Sequence, residues 1–191
     1  MKKILNLGSG VDYKQGWVNL DYNSTYSPDI VHDLDMLPYP FEDNEFDGIY
    51  CSHILAHVTD LYKTLKELNR ILKPNCTIKI RTPHFSNPNN YTDLTVKRYF
   101  SWNTFNMLLD GTFNTNHLGF RIISKRFNFL SKEYYLTNKC FSWVFNVLPK
   151  RFYERFLCWI LPVGEIEVVL GKINPPSDNT HQTTIHPREL A

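Results

Sequence analysis

Short apolar runs separated by polar turns dominate the first eighty residues of this chain. "KKILNLG", "GWVNLD", "DIVHDL" and "FDGIYCS" each hold a few large apolar side chains bounded by Gly, Pro or Asp, the pattern of short buried strands. Residues 59–72, "TDLYKTLKELNRIL", instead place Leu61, Leu65, Leu68, Ile71 and Leu72 at helical spacing. Thr59 or Asp60 can cap the start of that helix, and Lys73–Pro74 mark its end. "CTIKIRT" returns to alternation and predicts a further strand. Strands interleaved with helices specify an α/β fold around a mainly parallel sheet, whose ligands sit beyond the carboxyl ends of the strands.

After Thr82 the pattern changes. "PHFSNPNNYTD" is a long polar loop, residues 97–110 predict a helix rich in aromatics, and "FRIISKRFNF" and "EIEVVLGKI" predict two late strands. Between those strands lies an aromatic and basic helical segment, residues 140–162, broken at Pro149. The division expected is a single domain over residues 1–174, with 84–118 and 130–162 capping an acceptor site. A flexible tail, 175–191, follows.

Composition changes this picture in two places. The net charge is only +2, but no Lys or Arg falls between Lys14 and Lys63, where nine acids do. From Arg121 to Arg155 eight basic residues face only Glu133 and Glu154. An acidic first third suits a cationic or hydroxyl-rich cofactor, and a basic last third suits an anionic acceptor. Four scattered cysteines without a Cys-x-x-Cys pair read as reduced, buried thiols of a cytoplasmic protein. No apolar stretch is long enough to span a bilayer.

The candidate chemistry begins at "LGSG". Gly8 and Gly10 allow a tight turn and close approach of backbone to a ligand. Asp21 ends the second strand, where an acid can accept from both ribose hydroxyls, and Asp33 ends the third, where it can accept from an adenine amine. A dinucleotide site needs a third glycine and a full helix facing the pyrophosphate. Here only ten residues separate Gly10 from Asp21, and Tyr13 stands near the position of that glycine. A cofactor without phosphates fits better, and S-adenosylmethionine is the one implied.

"LNLGSG", "VNLD", "HDLDMLPYPFEDNEFDGIYCSHILAHV" and "LNRILKPNCTIKIRTPHF" together resemble successive motifs of the class I S-adenosylmethionine-dependent methyltransferases of the broad type 11 group, over roughly residues 3–110. The resemblance implies a Rossmann-like seven-stranded sheet with an antiparallel last strand and helices on both faces. It implies that Leu7, Gly8, Ser9 and Gly10 line the methionine end, Asp21 the ribose, Asp33 and Leu34 the adenine, and Ser52 and His53 the sulfonium. The chain departs from the family at Asn6, where an acid often opens the first motif, and at Leu55-Ala56-His57, where Leu-Glu-His is common. Some relatives bind metal around that second segment. Ala56 and the two histidines lack the carboxylates, so no metal is expected.

Methyl transfer to a hydroxyl needs alignment and removal of one proton, and histidine is the natural base near neutral pH. His84 is the first candidate, with Asp93 as orienting partner or alternative. His53 is second and His117 third. The expected activity is O-methylation of a small-molecule, glycan or nucleotide-sugar acceptor. A nucleic-acid methyltransferase is the alternative, opposed by the absence of an Asn/Asp-Pro-Pro-Tyr motif and by the modest charge. A non-catalytic cofactor-binding subunit is another, with residues 140–162 docking a second copy, a partner or a membrane surface.

Overall fold

A computed structural model describes residues 2–110, 118–129 and 135–173, with side chains in the last stretch described from residue 139 onward. His117, His181, His186 and the tail from residue 175 lie outside the described residues, as do parts of both expected cap segments. Seven strands form one sheet: β1 (Ile4–Leu7), β2 (Val18–Asp21), β3 (Ile30–Val31), β4 (Phe46–Ser52), β5 (Leu72–Pro83), β6 (Phe120–Asn128) and β7 (Glu165–Lys172). Their order is β3-β2-β1-β4-β5-β7-β6, with β7 antiparallel to both of its neighbours and the remaining pairings parallel. The mainly parallel sheet and its antiparallel last strand match the architecture that the sequence implies.

Helix α1 (Leu61–Ile71) joins β4 to β5. Its N-cap is Asp60, whose carboxylate accepts from Lys63 N–H at 3.0 Å, so of the two candidate caps the acid is used. Leu61, Leu65, Leu68 and Ile71 all point into one continuous core with Leu5, Leu7, Leu20, Ile49, Ile78 and Ile80 of the strands. The same core takes Ile166, Val168 and Leu170 of β7, the alternate positions of that strand. Of the cysteines, Cys51 and Cys158 are buried, Cys76 is half-buried and Cys140 is exposed, so the expectation of four buried thiols holds for only two.

The first three crossings carry no α-helix. A turn joins β1 to β2, one 3-10 turn (Ser24–Tyr26) lies between β2 and β3, and extended loop runs from β3 to β4. The ten residues between Leu7 and Val18 can return a chain along a four-residue strand, but cannot hold three helical turns as well. A polar network takes the place of helix packing. Asn19, fully buried, accepts from Asn6 Nδ2 at 3.0 Å and Lys14 N–H at 2.8 Å. It donates to the Lys14 and Trp17 carbonyls and to Asp29. Asn6 also donates to the Asp12 carbonyl at 2.8 Å. The amide nitrogens of both asparagines and the Asn19 oxygen thus hold the loop.

The second half differs from expectation in detail. The helix expected over 97–110 is confined to α3 (Thr104–Leu109), preceded by a one-turn α2 (Asn89–Thr92). Residues 93–98 form an irregular strap instead. Asp93 captures the Thr95 N–H at 2.9 Å with its own side chain, a local bond that competes with helix. The strap is tied down where Lys97 and Arg98 N–H donate to the Ala56 carbonyl and Arg98 Nη2 donates to the Val58 and Thr59 carbonyls. Helix α4 (Tyr135–Val147) ends before Pro149, and α5 (Lys150–Phe152) continues as a π-helical turn, Tyr153–Leu157.

One carboxylate joins the last three strands. Glu165, at the start of β7, is wholly buried. It accepts from Arg81 Nε and Nη2 of β5 at 2.8 and 2.9 Å and from Asn128 Nδ2 of β6 at 2.8 Å. His53 Nε2, just beyond β4, contacts it at 3.0 Å. Burial alone would raise its pKa, but hydrogen bonds from His53, Arg81 and Asn128 and the charge of Arg81 outweigh that and hold it at about 2. Since the folded value lies below the ordinary 4.5, this carboxylate stabilises the fold fully above pH 4.5 and loses that contribution as pH falls toward 2. The amount is on the order of 3 kcal/mol. Glu165→Gln is expected to lower stability at neutral pH and to flatten the acid limb by up to about 1.4 kcal/mol per pH unit, measured by denaturant titration across that range.

Candidate active site

The carboxyl ends of β1, β2 and β4 open onto a cavity of about 470 Å³ lined by Gly8, Gly10, Asp21, Asp33, Leu34, Ser52 and His53. Tyr22, Tyr26, Asp35, Ile54, His57, Val58, Thr95 and Lys97 complete its wall. Gly8 has φ +66°, and a Cβ there would lie 2.3 Å from Ile54 Cγ1. Both its backbone and its neighbour require glycine. Leu7 belongs to the core and Ser9 is buried beside it. Neither lines the cavity, unlike the other expected cofactor residues.

Asp21 is nearly buried and accepts from Gly10 N–H at 2.7 Å and Asn23 N–H at 2.9 Å, one bond to each oxygen. Each oxygen keeps a lone pair for a ligand hydroxyl. Asp33 accepts from Asp35 N–H at 2.9 Å, an Asx turn that holds its carboxylate at the rim. Asp35 is buried enough to raise its pKa, yet hydrogen bonds from Lys97 and Thr59 pull it to about 2. Lys97 Nζ reaches Asp35 at 2.8 Å and so links the strap to the far wall. Asn6 does not reach the cavity, because its amide is spent on Asp12 and Asn19.

The histidines fall into two groups. His53 has a left-handed backbone, φ 62°, and its N–H donates to the Arg81 carbonyl at 2.7 Å. Its side chain is 40% exposed toward the cavity while Nε2 meets Glu165. An ionised carboxylate only accepts, so Nε2 carries the hydrogen in the neutral ring and Nδ1 is the nitrogen able to take a proton. His57, also on the wall, contacts Thr95 Oγ1 at 2.9 Å, and that hydroxyl donates to Asp93 at 2.6 Å. Asp93 therefore faces His57 through Thr95 rather than His84, and its hydrogen bonds with Thr95 lower its pKa.

His84 lies elsewhere. It is wholly buried, with Nδ1 against Ser86 Oγ at 2.8 Å and Nε2 against Glu154 at 3.1 Å, and it packs on Phe85, Phe127 and Tyr153. The loop looked too polar for a core position. Its polar groups pair inward: Asn90 Nδ2 donates to the His84 carbonyl and Asn87 Nδ2 to the Gly164 carbonyl. Glu165, the partner of His53, was not singled out in the sequence, although an acid opening a core strand was a visible signal. Tyr22, Tyr26, Thr95 and Lys97 carried none.

Residues 7–80 match the family described as "Methyltransferase domain". A 2-phytyl-1,4-naphtoquinone methyltransferase of Trichormus variabilis is 38% identical over 68 residues, 36% of this chain and 29% of that protein. A demethylmenaquinone methyltransferase of Staphylococcus saprophyticus is 41% identical over 68 residues, 34% of this chain and 29% of that protein. The matches thus span less than a third of these relatives. A SAM-dependent methyltransferase from Archaeoglobus fulgidus has the same fold, with a TM-score of 0.62 at 18% identity over 90% of this chain and 86% of that one. Residues 7–80 thus carry the pattern of a methyltransferase domain, and the chain as a whole has the fold of the Archaeoglobus fulgidus SAM-dependent methyltransferase.

Proposed function

We propose that the protein transfers the methyl group of S-adenosylmethionine to a hydroxyl of a small-molecule or glycan-type acceptor, with His53 as the base. The observation that carries this reading is His53, bonded from behind by the buried Glu165, on the wall of the same cavity as Gly8, Gly10, Asp21 and Asp33. Asp21 would hold the ribose hydroxyls, Asp33 and Leu34 the adenine, and the turn at Gly8–Gly10 the methionine end. The bound cofactor supplies an electrophilic methyl group on a good leaving group. His53 Nδ1 takes the acceptor proton as the acceptor oxygen attacks, and Glu165 stabilises the imidazolium that results.

Quinone-type acceptors are a second reading, favoured by the quinone acceptors after which the two relatives are named. The family match ends at residue 80, before the strap and the loop that would meet an acceptor, so it speaks for the cofactor half alone. Demethylmenaquinol and free or nucleotide-linked sugars, offered in parallel with labelled cofactor, separate the two readings.

His53→Ala is expected to lower turnover about 10²–10⁴-fold while leaving cofactor affinity nearly intact. His84→Ala should lower the melting temperature with little change in turnover per folded molecule. His53→Ala also removes a partner of Glu165, and should lower turnover per folded molecule whatever its effect on melting. The opposite pattern overturns the assignment. Asp21→Ala should weaken S-adenosylmethionine binding by about 1.5–3 kcal/mol in calorimetry, the range for hydrogen bonds to a charged group. Transfer should also survive a chelator unchanged, and loss of activity restored by magnesium would contradict that expectation.

A further inference from the structure

The helical stretch after Pro149 turns an apolar patch outward. On its inner side Tyr153 is buried and donates to the Leu161 carbonyl at 2.7 Å, and Cys158 is buried behind it. Glu154, the stretch's one acid, also faces inward, where it accepts from Trp102 N–H at 2.5 Å and meets His84. The outer side carries Phe152, Phe156, Trp159 and Ile160, 49, 58, 65 and 74% exposed. Phe152 and Phe156, whose ring centroids lie 5.2 Å apart across the π-helical turn, and Trp159 and Ile160 in the turn that follows form one exposed apolar patch. The water-facing side of such a stretch on a globular protein is normally polar.

The charge on that side has one sign. Arg151 and Arg155 are exposed, neither has an acidic partner among the described residues, and the Arg155 guanidinium lies 5.8 Å over the Phe156 ring. Lys150, the first residue of α5, also lines a cavity of about 590 Å³ with Lys125, Arg126 and Trp143. Trp143 is itself 68% exposed on α4. A basic hollow thus adjoins the start of the aromatic patch.

We propose that this surface docks on a bilayer containing anionic phospholipid. The aromatic side chains enter the headgroup region, and Arg151 and Arg155 pair with lipid phosphates. Aromatic rings with a polar edge and arginines with long apolar stems suit that boundary, where one side is apolar and the other wet. A second copy of the chain fits less well. A two-fold contact would press these arginines on their own copies, and the only acid of the stretch is turned inward. The element lies on the membrane rather than through it, since no helix among the described residues is long and apolar enough to cross. Nothing in this proposal depends on methyl transfer.

The test is flotation of the full chain with vesicles of phosphatidylcholine alone or of phosphatidylcholine with phosphatidylglycerol. The expected result is flotation with the mixed vesicles only, weakened by high salt, with tryptophan emission moved to shorter wavelength. Phe156→Ser with Ile160→Ser, and separately Arg151→Glu with Arg155→Glu, should each reduce the bound fraction roughly tenfold or more. Melting curves establish that the variants are folded, and the arginine pair decides the matter if the apolar pair is not. Absence of flotation, or equal flotation with both vesicles, overturns the proposal. So does a dimer in sedimentation that the Phe156 and Ile160 substitutions dissolve.

Discussion

The buried carboxylate of Glu165 is the constraint on which most of the remaining structure depends. A charge with no exposed surface is tolerable only where its partners outweigh desolvation, and here Arg81, Asn128 and His53 do so together. Those partners come from β5, β6 and the residue after β4, so one group sets the relative positions of four strand ends. It also decides the state of His53. With Nε2 committed to the carboxylate, the ring has one orientation and one nitrogen left for chemistry. The same contact is structural toward the sheet and, in the reaction proposed above, orients the base toward the cavity.

At the opposite end of the sheet, hydrogen bonds do the work that helices do elsewhere in the fold. Asn19 and Asn6 secure the short β1–β2 turn from within, and Asp29 receives the Asn19 N–H at 2.7 Å and the Tyr13 hydroxyl at 2.8 Å. An acid at position 6 would bring a charge into this pairing. An amide there can both donate and accept, and its donors are used on Asp12 and Asn19. The abbreviated loop and the neutral residue at position 6 thus belong to one design. Gly8 and Gly10 keep the turn open above it, where Asp21 receives the Gly10 N–H.

The wall of the cavity away from the glycine turn is assembled from segments distant in sequence. The strap over residues 93–98 reaches back to Ala56, Val58 and Thr59, and through Lys97 to Asp35. These contacts place Thr95 and His57 on the cavity wall beside His53. His84 and Glu154 form the buried counterpart, joining the loop after β5 to the helical stretch whose outer side carries Phe152 and Phe156.

The strands of the first half, the glycine turn and the acids at the ends of β2 and β3 were legible in the sequence, because each follows from local alternation and from residue types at strand ends. Helix α1 was legible for the same reason, with its cap narrowed to Thr59 or Asp60, of which the structure uses Asp60. The antiparallel last strand, by contrast, was implied by the family resemblance alone. Burial of a polar loop was not. Whether "PHFSNPNN" is solvated or folded inward depends on whether Gly164, Glu154 and Tyr153 arrive to receive it, and they stand some seventy residues later. The partner of His53 was hidden likewise, since 112 positions separate it from Glu165 and only the antiparallel return of β7 brings them together. Local pattern determined the strands and helix α1 of the first half. It did not set the bounds of α3, where Asp93 and the contacts of residues 97 and 98 hold a strap in place of helix. Long-range pairing alone decided which histidine faces the cavity and which is sealed in the core.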